Sequence, residues 1–206
     1  MKMKPNKTML PDIRDILRQV SHRRRAQQSA DEMARIMNLV YARQPKVMME
    51  IGSFRGWNLW ALSRMILNPA QLISIEPLIG LPSDEHDKWS KGEVAARLAP
   101  HELRWFKEDS NSPDTVRMLE EFLQGSKIDF LFIDGNHSYE YVKNDYLMYR
   151  HLVKGFIAFH DTGPRPAKNK TCQVRSFWQE LIKDHDGFEV LDDSPKESYG
   201  IGVISV

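Results

Sequence analysis

Apolar positions divide the chain into two helical segments followed by an alternation of short apolar runs and helix-patterned stretches. Over 12–20, Ile13, Ile16, Leu17 and Val20 fall at i, i+3, i+4 and i+7, on one face of a helix. Over 29–41, Met33, Ile36, Met37 and Val40 repeat that spacing, with Ser29 as N-cap and Asp31 and Glu32 in the first turn. The stretch between them, 22–28, carries His22 and three consecutive arginines. It reads as a solvated basic linker or as a polar lid over a ligand.

Apolar runs at 47–51, 72–76, 103–107, 128–133 and 156–160 then alternate with helical patterns at 57–66, 93–98, 113–124 and 138–152. Segment 113–124 has clear ends: Ser112 as N-cap, Pro113 at the first helical position and Gly125 past the last turn. Runs so continuously apolar require a parallel sheet covered on both faces. Further on, Val174, Phe177, Trp178, Leu181 and Ile182 make an amphipathic helix, and 188–191 and 199–206 read as two strands. The stretch from Asp192 to Ser198 suits an antiparallel return, not a helical crossover. The expected fold is α/β: five parallel strands, a further helix and strand, and a last antiparallel strand inserted or added.

Composition narrows the setting. The chain has 206 residues, enough for one domain with a full core and no covalent staples. The reading is one domain over 1–206, with 1–44 as an N-terminal helical lid and 45–206 as a Rossmann-like core. A formal net charge of +1 gives no general attraction to nucleic acid. The single cysteine, Cys172, excludes a disulfide within the chain and suits a reducing compartment. No run has the length or hydropathy of a signal peptide or a membrane span. A cytoplasmic protein without membrane or nucleic-acid partners is expected.

The most informative stretch is Glu50-Ile-Gly-Ser-Phe-Arg-Gly56, an acid on a strand followed by a glycine-bounded turn that opens a helix. Such a turn holds nucleotide-like ligands at the carboxyl end of a parallel sheet. A dinucleotide site needs a small residue where the backbone approaches the pyrophosphate, and here Phe54 stands in that place. S-adenosylmethionine has no phosphate and needs less clearance. Glu50 would then lie near its ammonium, and Glu76, about 20 residues past Gly56, near its ribose hydroxyls. After the third strand, Asp109 and the Ser110 amide are candidates for the adenine edge.

Chemistry is expected at the next two strand ends. Asp134-Gly-Asn-His137-Ser-Tyr139 follows one apolar run, and His160-Asp161-Thr162 closes the next. Adjacent strands would gather Asp134, His137, His160 and Asp161 in the crevice where open α/β sheets bind ligands. Asp134 and Asp161 are candidate ligands for a hard cation such as Mg²⁺, which would polarise a substrate hydroxyl. His137, titrating near neutrality, is the alternative or complementary general base.

With these motifs in place, residues 45–163 resemble the class I S-adenosylmethionine-dependent methyltransferases. Within them the chain is similar to the small-molecule O-methyltransferase branch of macrocin-type sugar methyltransferases and the cephalosporin hydroxylase-like group. The resemblance rests on Glu50-Ile-Gly-Ser-Phe-Arg-Gly56, Asp134-Gly-Asn-His137-Ser-Tyr139 and Gly155-Phe-Ile-Ala-Phe-His160-Asp161, and on the terminal 199–206. It implies a seven-stranded sheet of order 3-2-1-4-5-7-6 with strand 7 antiparallel. It also implies methyl transfer to the hydroxyl of a small acceptor such as a sugar or a phenol. The cofactor's amino-acid tail would lie along Glu50, Gly52, Ser53 and Gly56, with Glu76 at ribose and Asp109 and Ser110 at adenine. Asp134 would stand beside the cofactor and, with Asp161, match the family's metal-bound acids. Relatives commonly pair, so a homodimer is the implied assembly. In catechol-type relatives an Asn follows the second acid; here the flanks are His160 and Thr162.

Two rival functions remain open at this stage: a dinucleotide-dependent oxidoreductase on a similar sheet, and a non-catalytic adenosylmethionine-binding protein. A third, a hydroxylase, would need a ferrous triad that His137, Asp134 and His160 could imitate. Trp57, Trp60, Trp89, Trp105 and Trp178 read as packing residues, with Trp57 also a candidate ligand contact. The stretch 82–92 reads as a solvated loop, and 162–173 as a loop near the acceptor whose Arg165 or Lys168 could meet an anion. Cys172 has no sequence neighbour that would activate it.

Overall fold

A computed structural model describes residues 12–21, 29–80, 82–164, 172–192 and 198–206. The order of elements is α1 (Ile13–Ser21), α2 (Ala30–Arg43), β1 (Val47–Ile51), α3 (Trp57–Ser63), β2 (Gln71–Ile75), α4 (Ser83–Ser90), α5 (Glu93–Leu98) and β3 (Glu102–Phe106). There follow α6 (Pro113–Leu123), β4 (Ile128–Ile133), α7 (Tyr139–Tyr149), β5 (Val153–His160), α8 (Val174–Leu181), β6 (Gly187–Val190) and β7 (Ile201–Ser205). The stretches 22–28 and 165–171, with Arg165 and Lys168, lie outside the described residues, as do 193–197 of the connection before β7.

The seven strands form one sheet in the order β3-β2-β1-β4-β5-β7-β6. Every pairing from β3 to β5 is parallel, and β7 runs antiparallel to both β5 and β6. This is the order that the family resemblance implied. The strands are continuously apolar because alternate residues enter different cores. Met48, Leu72, Phe130 and Phe132 pack on one face with α1, α2 and α3, including Ile36, Met37 and Leu59. Met49, Ile73, Leu131 and Ile133 pack on the other with Leu119, Tyr146 and Phe177 of α6, α7 and α8. Ile16 and Val20 of α1 and Met33 and Val40 of α2 belong to the first core, so both helices are part of its packing.

The stretch read as a loop at 82–92 contains the helix α4. Its one buried residue is Trp89, so no apolar period marks it. Lys88 pairs with Asp84 and Glu85, and Lys91 with Asp87, at helical spacing. The Trp89 indole N–H fixes the helix to the Phe54 carbonyl at 2.8 Å.

The chain order reverses between β1 and β4, which lie side by side with Glu50 opposite Phe132 and Ile51 opposite Ile133. Their carboxyl ends open the crevice where a doubly wound sheet receives its ligand.

Candidate active site

The turn after β1 is built by close backbone approach. Gly52 has φ 83°, and a Cβ there would stand 2.3 Å from the Asp134 carbonyl oxygen. Gly56, at φ 71°, would place a Cβ 2.9 Å from Val94 Cγ1. Both glycines are therefore required by packing between the turn and its neighbours. Phe54 lies between them with φ 48° and its side chain 44% exposed. Its N–H donates to Glu76 Oε2 at 2.7 Å, while the Gly52 and Gly56 N–H groups go to the Ile75 and Ser53 carbonyls. The amides that a dinucleotide turn would offer to phosphate are thus engaged within the protein.

Glu76, at the end of β2, accepts a second bond from the Leu78 N–H at 2.6 Å. Burial raises its pKa, and the two N–H donors oppose that rise. Glu50 has no such help. It is fully buried, and among the described residues neither carboxylate oxygen has an aligned hydrogen-bond partner. Ser53 and Asn58 lie near enough to favour its charged form slightly. Burial and the nearby Asp134 outweigh them and push its pKa up to about 8. Ser53 itself is buried and accepts the Ser74 hydroxyl at 2.9 Å.

After β3, Asp109 is exposed, and its carboxylate accepts the Asn111 N–H at 2.9 Å in a local turn. Ser110 is buried, and its carbonyl accepts the Tyr149 hydroxyl at 2.8 Å.

The tips of β4 and β5 bring Asp134, His137, His160 and Asp161 together. His137 bridges the two acids: Nδ1 is 2.7 Å from Asp161 Oδ2, and Nε2 is 3.3 Å from Asp134 Oδ1. His160 Nδ1 lies 3.0 Å from Asp134 Oδ1 and 3.5 Å from Asp161 Oδ1. The charges compensate one another. Burial opposes ionisation of Asp134, yet His160 and His137 hold its pKa well below the carboxylate range. Asp161 is lowered for the same reason, chiefly by His137 against its own burial. Burial likewise works against the His137 charge, but bonds to Asp134 and Asp161 push it up to about 12. His160 is raised by Asp134 despite full burial.

Several contributors were not singled out from the sequence. Asn58, in the first turn of α3, donates to Asp134 Oδ2 at 3.2 Å. The Tyr199 ring stacks on His160 with centroids 5.7 Å apart. Cys172 Sγ lies 3.7 Å from Asp161 Oδ2, so the thiol joins the cluster from which sequence order separated it. Asp145 of α7 is buried beneath the loop after β4, accepting from Asn111 Nδ2 at 2.7 Å with Oδ2 unpartnered among the described residues. Asn58 alone had a faint cue, as the first polar side chain after the glycine turn. Of the five tryptophans, Trp57, Trp89 and Trp178 are buried in the cores.

As donors for Mg²⁺ these residues fit poorly. A hard cation wants mostly oxygen ligands, and here imidazole nitrogens face both carboxylates.

A doubly wound seven-stranded sheet with one antiparallel strand, and acids at the tips of β1, β2, β4 and β5, defines the Rossmann-like methyltransferase class. The methyltransferase-domain family profile matches residues 49–162, more than half of the chain, and the chain belongs to that family. An uncharacterized protein of Acanthamoeba polyphaga mimivirus is 35% identical over 117 residues, 55% of this chain and 50% of that protein. Another from Sinorhizobium fredii is 23% identical over 147 residues, 70% of this chain and 16% of that protein. The chain thus spans half or less of the curated relatives it matches. Among solved structures, an O-methyltransferase of tomaymycin synthesis from Streptomyces achromogenes, complexed with S-adenosylmethionine, superposes with TM-score 0.65. It is 16% identical, with 97% of this chain and 92% of that chain covered. A Bacillus cereus O-methyltransferase bound to adenosylhomocysteine gives TM-score 0.64 at 16% identity, covering 97% and 94%. At that identity the likeness establishes the fold.

Proposed function

We propose that this chain is an S-adenosylmethionine-dependent methyltransferase acting on a hydroxyl of a small molecule, a sugar or a phenol. The observation that carries the reading is Glu50, a buried carboxylate without an aligned partner among the described residues, beside a cluster of acids and imidazoles. A buried polar group left unbonded is costly, and a cationic ligand group would satisfy it. The ammonium of S-adenosylmethionine is such a group. Two structural neighbours, solved with that cofactor or its demethylated product, support the choice.

Bound there, the cofactor supplies an electrophilic methyl on a sulfonium sulfur. Glu50 and Ser53, with the turn from Gly52 to Gly56, would hold its amino-acid tail. Glu76 would accept from the ribose hydroxyls with lone pairs left over from Phe54 and Leu78. Ser110 and Asp109 would bound the adenine. Asp134 would orient the acceptor by accepting a hydrogen bond from its hydroxyl as the oxygen attacks, the proton passing on to solvent. His137, bridging two carboxylates, would present a positive charge beside the developing alkoxide when no metal ion is bound. Holding both reactants in one crevice supplies most of the acceleration. Cytoplasmic residence and assembly as a homodimer belong to the same proposal, the latter read by light scattering.

The test is to supply S-adenosylmethionine with panels of sugars and phenols and to quantify adenosylhomocysteine and methylated product by mass spectrometry. Acceptor-dependent formation of both is expected. Adenosylhomocysteine never above the protein-free background, or activity with NAD instead, would contradict the reading.

A further inference from the structure

The cluster at the tips of β4 and β5 has the interatomic spacing of a metal site. Asp134 Oδ1 is 3.0 Å from His160 Nδ1 and 3.3 Å from His137 Nε2. Donor atoms of these three residues all lie within 4.8 Å of one another. Ligands bound at about 2.1 Å are about 3.0 Å apart when cis in an octahedron and about 3.4 Å apart in a tetrahedron. Both measured edges therefore have the length a shared ion requires.

The surroundings point the same way. A metal-binding imidazole usually gives its other N–H to a carboxylate, which fixes the tautomer. His137 Nδ1 faces Asp161 Oδ2 at 2.7 Å and leaves Nε2 turned to Asp134. Asn58 Nδ2 holds Asp134 Oδ2 and leaves Oδ1 turned to the histidines. His160 is 3% exposed and stacked on Tyr199, and neither ring nitrogen makes an aligned hydrogen bond among the described residues. Nδ1 instead faces Asp134 Oδ1 at ion-pair distance, and an ion shared by the two would take the place of that contact. The His137 side chain is 33% exposed, which leaves the fourth side of the cluster open.

We propose that Asp134, His137 and His160 bind a nitrogen-preferring divalent transition-metal ion, of the kind of Co²⁺ or Zn²⁺, with Asp161 orienting His137 from outside the coordination shell. Two imidazoles and one carboxylate with open positions are the donor set of catalytic transition-metal centres, not of Mg²⁺ sites. Binding exchanges the proton on His137 Nε2 for the ion. The inference uses the residues of the methyl-transfer reading but does not depend on transfer taking place.

Chelator-stripped full-length protein would be titrated with Co²⁺, followed by visible absorption, and with Zn²⁺ and Mg²⁺ in competition. One cobalt site with ligand-field bands is expected, displaced by Zn²⁺ and resistant to a roughly hundredfold excess of Mg²⁺. His137→Gln, at a part-exposed position and checked for folding by circular dichroism, should weaken Co²⁺ at least about a hundredfold. Asp161→Asn should keep the bands and weaken binding about 10- to 100-fold. Absence of cobalt bands, equal competition by Mg²⁺, or a His137→Gln titration like the parent's would overturn the assignment. Adenosylhomocysteine binding on the same samples separates the two proposals. Intact cofactor binding without a cobalt site defeats only the metal, and a cobalt site without cofactor binding defeats only the methyl-transfer reading.

Discussion

Glu50 and Asp134 leave the neighbouring strands β1 and β4, both in the interior, and their environments drive them to opposite charge states. Glu50 has only weak polar neighbours, and burial lifts its pKa to about 8, so near neutrality it is mostly protonated. Asp134 faces two imidazoles and an amide, which hold its pKa well below the carboxylate range despite burial. The cofactor side of the crevice thus holds its acid protonated and unpaired, and a cationic ligand bound there would displace that proton. The chemistry side has met its charges internally and is organised before any ligand arrives. Pairing decides which buried acid stays ionised.

The largest effect that would break this contrast is on turnover. Asp134→Asn preserves shape and removes the charge. Methyl transfer should fall by about 10²-fold through lost orientation of the acceptor, while adenosylhomocysteine affinity changes only a few-fold. A variant that loses both equally would place Asp134 in binding alone. Next comes Glu50→Gln, which should weaken adenosylhomocysteine about 10- to 100-fold, the scale of one charge-assisted hydrogen bond. The same change should raise the melting temperature of the empty protein by removing a titratable buried group. Equal affinity in parent and variant would remove Glu50 from the ammonium site.

The smallest effect sharpens the comparison away from the crevice. Burial lifts Asp145 from 3.8 to about 7. The folded protein thus holds a proton that the unfolded chain releases from about pH 4 upward, so stability falls between about pH 4 and pH 7 and levels off above. Asp145→Asn removes that loss. Thermal melts should show a gain of several degrees near pH 8 that shrinks toward pH 5; an equal gain at both would contradict the burial argument.

The sheet was legible because each strand contributes residues to two cores, which makes its apolar run continuous. Leu72, Ile73 and Ile75 on β2 illustrate this. The acids at strand ends were legible for a related reason, since a charged residue closing such a run must emerge at the sheet edge. Helix α4 was not, because Trp89 alone is buried on it and surface ion pairs carry the rest. Neither were Asn58, Tyr199 and Cys172, which reach the cluster only through tertiary approach. The turn glycines were legible, and the fold adds a second reason for them: Gly52 and Gly56 also make room for Asp134 and Val94. The gathering of Asp134, His137, His160 and Asp161 was legible from adjacent strand ends, but the bridging of both carboxylates by His137 is a matter of side-chain geometry that only the folded chain gives.

The most direct test of the central claim is a crystal structure of the protein with adenosylhomocysteine. The account predicts its ammonium within hydrogen-bonding distance of Glu50, its ribose hydroxyls on Glu76 and its sulfur facing Asp134 across the crevice above Gly52. Adenosylhomocysteine bound elsewhere, or with its sulfur turned away from the tips of β4 and β5, would contradict it.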